Sequence, residues 1–463
     1  MNKRYKKFLK NSEEIAFDLQ HRATISNNIS KYEAAVKVGK SCYLNLDETK
    51  RRASRIKQEA LANLDTLLVQ FEDSISKRGA KVLWARDAEE ALSYILPIFK
   101  KHQACHCVKS KSMITEEIGL NDYLEENRIE SLETDLGEYI VQLAGEKPYH
   151  IVTPVMHKSR KDVAQLFYEK FRTPANSSPE YLTSFVRKLL RKKFLSADVG
   201  VTGANFLVAD TGGIGITENE GNALLSFSFP KVHIVIAGIE KIIPSIGDLP
   251  LLWPLLATHG TGQQITAYNS LITGPSLDGE VDGPEEMYVI LLDNGRTHLL
   301  EQDEQYLALK CLKCGACLNV CPIYKNIGGY TFESIYGGPI GSLLTPYLSN
   351  FKDHIHLSYA CSICGRCTEN CPVQIPLHNL FLANRRDAVQ QGYTTPSWDL
   401  GMRAYQELMV NRRVFDLPPG LLKNLAVGMF GKSFWGPRRM FPSFAGRSFS
   451  SQARRKLGEE MDN

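Results

Sequence analysis

Eight of the chain's 11 cysteines fall in two copies of one pattern. The first copy is Cys311-x2-Cys314-x2-Cys317-x3-Cys321-Pro322, and the second is Cys361-x2-Cys364-x2-Cys367-x3-Cys371-Pro372. A cubane iron–sulfur cluster presents four irons, and each needs one thiolate. Two-residue gaps let a tight turn bring three thiolates around one cube. In chains that hold two cubanes, the fourth cysteine of each run reaches the other cluster. The pattern therefore predicts two [4Fe–4S] centres. One takes Cys311, Cys314, Cys317 and Cys371, and the other takes Cys361, Cys364, Cys367 and Cys321. Gly315 and Gly365 follow the second cysteine of each run, where the backbone must pass close to a cluster. Pro322 and Pro372 bend the chain away after the last ligand. Structural zinc takes its cysteines in separated pairs. Four in one run, followed by proline and repeated, argue against zinc and against disulfides.

The remaining composition is that of an ordinary globular protein: 463 residues, 43% hydrophobic and 23% charged. A net charge of +4 is too small for a dedicated nucleic-acid binder. The basic N-terminus, MNKRYKKFLKNSEE, has no apolar core and does not read as a secretory signal. No apolar run approaches the roughly 18 residues of a membrane span. Free thiolates and iron–sulfur ligands fit a reducing compartment, so a cytoplasmic location is expected.

Patterning divides the chain into four regions. Residues 1–80 read as helical, with Ile56, Ala60, Leu61, Leu64, Leu67, Leu68 and Phe71 at helical spacing. Residues 81–300 alternate strand and helix and predict an α/β domain. Its expected strands are Lys81–Ala85, Ile151–Thr153, Val199–Ala209, His233–Gly238 and Met287–Asp293, with helices at Asp87–His102 and Pro179–Phe194. Residues 301–395 hold the cysteine runs. The 39 residues between the runs are too many for short hairpins, and they include helix-compatible Ser342–Phe351. Leu377–Gln391 reads as another helix, so a helical dicluster domain is expected. The segment 396–463 contains an apolar stretch, Leu421 to Phe430, followed by Lys432, Trp435, Arg438 and Arg439. It is suited to a membrane surface, to a partner subunit or to its own chain.

Several polar groups in the α/β region are candidates for a site. Lys109 and Lys111 flank a helix start at Ser112–Thr115 that could hold an anion; ordinary capping beside solvated charge is the plainer reading. Glu133–Glu138 is acidic and could contact a cation or a hydroxyl, or more plainly is a solvated helix start. Thr202-Gly203-Ala204-Asn205 and Thr211-Gly212-Gly213-Ile214-Gly215 read as small-residue turns without the dinucleotide fingerprint, so neither a nicotinamide nor a flavin is assigned. Thr261-Gly262-Gln263 reads as a tight turn, and Asn294-Gly295 is a hairpin signal. Cys105, Cys107, His102 and His106 alternate faces of a strand and make a poor metal site. Cys42 reads as a plain thiol, and His157 as a candidate general base or anion contact, or more plainly as a structural histidine. Glu240, with Lys241, ends a strand as a candidate nucleophile, or more plainly as a surface ion-paired dyad.

The stretches KSKSMITEEIGL (109–120), ETDLGEYIVQ (133–142), HIVTPVMHKSRKDVAQLF (150–167), GVTGANFLVADTGGIGITENEGN (200–222) and GIEKIIP (238–244) resemble the LUD domain of lactate-utilization proteins. With the dicluster, its CPVQIPLHNL exit and the terminal FPSFAGRSF, the whole order is similar to the lactate utilization protein B family. That resemblance implies an LUD domain of the glucosamine-6-phosphate deaminase and CoA-transferase-like α/β fold. It implies electron transfer in oxidation of L-lactate to pyruvate, beside two partners: a cysteine-rich redox protein and a cluster-free LUD protein. Catalytic residues and the final electron acceptor stay unassigned. Asp210 departs from the family, where glutamate is expected before Thr-Gly. Alternatively, the LUD domain itself binds the hydroxy acid or a cofactor, through Lys109, Lys111, Thr202 and Asn205. Two other classes stay open: a CoA-transferase-like or sugar-phosphate enzyme using Glu240, and an assembly scaffold with structural clusters.

Overall fold

The structure, a computed structural model, describes residues 3–394, 396–416, 418–435, 440 and 443–461. It contains two compact units, Met1–Ala388 and Val389–Asn463.

The first unit is built on a parallel sheet of six strands in the order β1-β10-β7-β4-β2-β3. These are β1 (Lys81–Ala85), β2 (His106–Lys109), β3 (Glu130–Glu133), β4 (Val199–Thr202), β7 (Val232–Gly238) and β10 (Glu286–Leu292). A second sheet, β8-β5-β6-β9, combines β5 (Phe206–Val208), β6 (Gly213–Glu218), β8 (Ile242–Ile243) and β9 (Tyr268–Ile272). The central strands read as continuous apolar runs because both faces are covered. All of β7 is buried. One face packs on Ile95, Ile98 and Phe99 of the helix Ala88–Lys101. The other packs on the second sheet and on Leu68, Phe71 and Ile75 of the helix Leu64–Ser76. This is the α/β class that the alternation predicts.

Four expected elements differ. Val199–Ala209 is two strands in two sheets, β4 and β5, because the small residues Gly203-Ala204 let the chain leave the first sheet. The turn expected at 211–215 becomes strand β6 from Gly213 onward. Ile151–Thr153 is not a strand: its backbone wraps around His150, whose Nδ1 accepts from Val152 N–H at 3.1 Å and Thr153 N–H at 3.2 Å. Asn294-Gly295 does not make a hairpin. Both residues have positive φ, but they turn β10 into the helix Arg296–Leu300.

The N-terminal helices Lys3–Phe17, Leu19–Ser41 and Leu46–Ala62 share one core with the cysteine region. Phe8, Ile25, Ile29 and Ala53 pack with Leu318, Tyr324, Leu343 and Phe381. Between the cysteine runs the chain is helical at Gly338–Leu348, and it leaves the second run in the helix Leu377–Gln390.

In the second unit, the helix Gly420–Trp435 exposes Leu421, Leu422, Leu425 and Met429. Lys423 Nζ donates to Phe415 O and lies over the Phe415 ring. Arg438 and Arg439, and the side chains of Phe430, Lys432 and Trp435, lie outside the described residues. Among the described residues, no helix is long and apolar enough to cross a membrane.

Ile290 is fully buried at the centre of β10. Ile290→Ala should cost about 2–5 kcal/mol, read as a lower urea midpoint with an unchanged slope.

Candidate functional site

The chain crosses the parallel sheet in one direction through β1, β2 and β3, then reverses through β4, β7 and β10. In such sheets ligands bind beyond the carboxyl ends of the strands, where the order reverses. A cavity of about 520 Å³ lies there. Lys111 and Ser112 follow β2, Gly203 to Asn205 follow β4, Glu240 and Lys241 follow β7, and Arg296 follows β10. Its opposite wall is Lys313 and Cys314 of the first cysteine run, with Tyr336. A Cβ on Gly203, just past β4, would meet Ser112 Oγ, just past β2, so a larger residue there must displace Ser112.

The floor is a buried ion network. Arg296 donates to Glu117 through Nη1 and Nη2, at 2.8 and 3.0 Å, and to Glu240 through Nε at 2.5 Å. Tyr336 Oη donates to Glu117 at 2.6 Å. Burial alone would push Glu240 up, but Arg296, with Lys241 and Lys313, holds it down to about 2. Glu240 is therefore neither a surface residue nor partnered chiefly by Lys241, and its carboxylate is committed to Arg296. A Cβ on Gly238 would run into both Glu240 and Arg296.

Two residues expected at a ligand are structural. Lys109 is fully buried, paired with Glu133 at 2.7 Å and bonded to Thr115 Oγ1 at 2.8 Å. Thr202 is bound to His233 Nε2 at 2.8 Å. Lys111 and Asn205 do line the cavity. The acidic run is not solvated: Glu133, Asp135 and Glu138 are buried, and Asp135 caps the next helix by accepting from Glu138 N–H. Burial and the neighbouring Glu133 push Glu138 well above the usual carboxylate range.

The cysteines form two groups. Cys311, Cys314 and Cys317 line a small cavity with Cys371, the last cysteine of the other run. Burial raises Cys321 and Cys367, and neighbouring cysteines add to it, Cys361 and Cys364 at Cys321 and Cys361, Cys321 and Cys364 at Cys367, which places these four together. Burial and Cys311 raise Cys317 most, and Cys367 of the other group adds to it, so the groups adjoin. The two loops share one conformation. Lys313 and Ile363, each two residues after the first cysteine, have φ of 59° and 55°, and Gly315 and Gly365 have 76° and 77°. A left-handed β-branched isoleucine is uncommon, and it occurs here at the same position of the turn as Lys313. The turn points the N–H of Lys313 at Cys311 Sγ, and that of Ile363 at Cys361 Sγ, both at 3.3 Å. Tyr324 N–H and Ile375 N–H point at Cys321 and Cys371. This donor set fits thiolate-held cubanes. Burial pushes the thiols up, Cys314 to about 12 and Cys371 to about 11, so binding iron must displace protons. The groups differ in access: Cys314, Cys367 and Cys371 are buried, and Cys364 is exposed.

Other sequence candidates stand apart. Cys107 is buried while Cys105 and Cys42 are exposed. His102 pairs with Glu286, and His106 lies against Ser196. His157 pairs with Glu146 at 2.7 Å and stacks on Tyr149. Thr261-Gly262 ends a helix. Asp210 accepts from Ser245 Oγ and Ile246 N–H on the exposed surface, and it does not line the cavity.

Sequence reasoning missed the lysines beside the cysteines. Lys57 Nζ donates to the carbonyls of Glu240 and Ile242, Lys50 Nζ to that of Glu369, and Lys310 Nζ to Ser54 Oγ. All three are buried. The signal was present: Lys50, Ala53, Lys57, Ala60 and Leu61 form one buried helix face, and lysines on an apolar face need partners. His150 was also missed. Burial, with Lys111, pushes it down to about 3, and it packs where a Cβ on Gly315 would fall.

Removing Arg296 would leave Glu117 and Glu240 as uncompensated buried carboxylates. Arg296→Met should cost about 3–5 kcal/mol in urea denaturation, and Arg296→Lys should restore only part because one ammonium cannot reproduce the forked contacts.

Comparison with known proteins follows these two regions. Residues 68–292 match the LUD domain, and residues 307–375 match the 4Fe-4S dicluster domain. Lactate utilization protein B of Bacillus subtilis (strain 168) is 44% identical over 377 residues, 81% of this chain and 78% of that protein. Lactate utilization protein B of Bacillus cereus (strain AH820) is 46% identical over 352 residues, 76% of this chain and 74% of that protein. A crystal structure of a DUF162 family protein from Deinococcus radiodurans covers 50% of this chain and 98% of its own, at 15% identity and a TM-score of 0.29, too loose a match to carry an argument. With an LUD domain, an iron–sulfur dicluster domain and this identity over most of its length, the chain belongs to the lactate utilization protein B family.

Proposed function

We propose that this chain is the electron-carrying iron–sulfur subunit of a system that oxidises L-lactate to pyruvate. Cys311, Cys314, Cys317 and Cys371 hold one [4Fe–4S] cluster, and Cys361, Cys364, Cys367 and Cys321 hold the other. Bound there, the clusters supply one-electron acceptance and donation, and two such centres match the two electrons released per lactate. The observation that carries this reading is the cavity lined by three cysteines of one run and the fourth of the other.

The chain's own residues set direction and environment. The Cys311 group backs onto the LUD cavity through Cys314, and the Cys361 group reaches the surface at Cys364. Cys317 and Cys367 stand between the two groups. That order runs from an enclosed side to an exposed side where a partner can dock. Lys50 and Lys310 place positive charge near Cys371, and Lys40 places it near Cys314. Positive charge favours the reduced, more negative state of a cluster. The partners in this reading are a cysteine-rich redox protein and a cluster-free LUD protein, in a reducing cytoplasm. Use of Glu240 as a nucleophile is disfavoured by its pairing with Arg296.

The test is anaerobic. The chain, alone and with both partners, is mixed with L-lactate while cluster reduction is followed by electron paramagnetic resonance. Reduction only in the presence of partners is expected. Reduction by the chain alone would make it the dehydrogenase. Intact clusters that stay oxidised in both mixtures would exclude the relay and favour a scaffold.

A further inference from the structure

The cavity beyond the parallel sheet has more charge than its own contacts satisfy. Its acids are committed. Glu218 accepts from Ala223 N–H at 2.7 Å and Leu224 N–H at 2.8 Å, Glu220 accepts from Leu136 N–H, and Asp135 accepts from Glu138 N–H. Lys111 is also committed, donating to Val152 O at 2.5 Å with Asp135 3.8 Å away. The end beside the cysteines is different. Lys241 and Lys313 line the cavity, and among the described residues neither ammonium forms an ion pair or donates a hydrogen bond. Lys313 Nζ rests 3.7 Å from the centre of the Tyr336 ring, which fixes its direction without neutralising it. The nearby carboxylates Glu117 and Glu240 already bind Arg296. Three cations, Arg296, Lys241 and Lys313, thus face two carboxylates and the Cys311 thiol at this end of the cavity.

We propose that Lys241 and Lys313 form an oxyanion-binding site, which seats the carboxylate or phosphate of an organic ligand against the wall that Cys314 provides. The volume of about 520 Å³ lies within the roughly 300–1,000 Å³ of ligand pockets. It gives far more room than a three-carbon acid fills, so the remainder of a larger ligand can extend toward Asn205 and Thr217. A ligand seated there touches the residue that carries one thiolate of the inner cysteine group. The inference does not depend on which substrate supplies electrons. The competing role for these lysines is to balance the negative charge of a cluster on Cys311.

Calorimetric titration of the anaerobic holoprotein separates these roles, using pyruvate as the carboxylate probe and flavin mononucleotide as the phosphate probe. The site predicts saturable binding of at least one probe, and which one binds identifies the source of the oxyanion. Lys241→Met and Lys313→Met should each weaken it about tenfold or more. Lys241→Arg and Lys313→Arg should stay within a few-fold of wild type. Iron content and resonance spectra establish that each variant keeps its clusters, and Lys241→Met carries the test if Lys313→Met does not. Saturation by neither probe overturns the proposal. So does unchanged affinity in the methionine variants, and a changed cluster spectrum with that unchanged affinity assigns the lysines to charge balance alone.

Discussion

The last cysteine of each run lies beside the other run, so neither group of thiols is gathered until both runs are folded together. Cys371 stands with Cys311, Cys314 and Cys317, and Cys321 stands with Cys361 and Cys364. The 39 intervening residues must therefore bring the runs back together. They do so with the buried helix Gly338–Leu348, whose Ile340 and Leu344 pack with Leu318 and Leu377. The N-terminal helices complete that core from the other side, and the loop around His150 seats the first run on the LUD domain. In the proposed reading, iron binding and folding are linked: the ligand set is distributed over the chain, so binding the metal stabilises the arrangement that gathers it.

The sequence made some features legible and hid others for identifiable reasons. The cysteine spacing pointed to the interleaved groups, because few other chemistries need that pattern. Strands β1, β7 and β10 were readable as buried apolar runs. Val199–Ala209 looked like one strand because an apolar pattern carries no record of which sheet each half joins. The Asn294-Gly295 pair kept its turn geometry but made a strand-to-helix junction, since two parallel neighbours leave no partner for a hairpin. The polar clusters were the least legible. Lys109 and Glu133 read as surface charge in isolation, yet each is the other's buried partner across two adjacent strands. Lys111 and Asn205 could be placed at the cavity, but Lys109 and Thr202, only a few positions away, point into the structure and are consumed there.

Charge organises the space between the two domains of the family. Carboxylates Glu117 and Glu240 hold Arg296 under the cavity, while Lys57, Lys241 and Lys313 approach Cys311 from several elements. Burying this many charges is costly unless each is paired or solvated. Arg296 is paired with both carboxylates, whereas among the described residues Lys241 and Lys313 form no ion pair. The same region thus joins a paired floor to a cationic wall next to the cysteines, the arrangement on which the proposed ligand site rests.

The most direct test of the account is whether the fourth ligand crosses between runs. Holoprotein variants Cys311→Ser, Cys371→Ser and Cys361→Ser would be reduced anaerobically with dithionite, and their cluster signals compared by electron paramagnetic resonance. Cys371→Ser is expected to perturb the same signal as Cys311→Ser and to spare the one altered by Cys361→Ser. If Cys371→Ser instead follows Cys361→Ser, each run serves its own cluster and the interleaved arrangement is wrong.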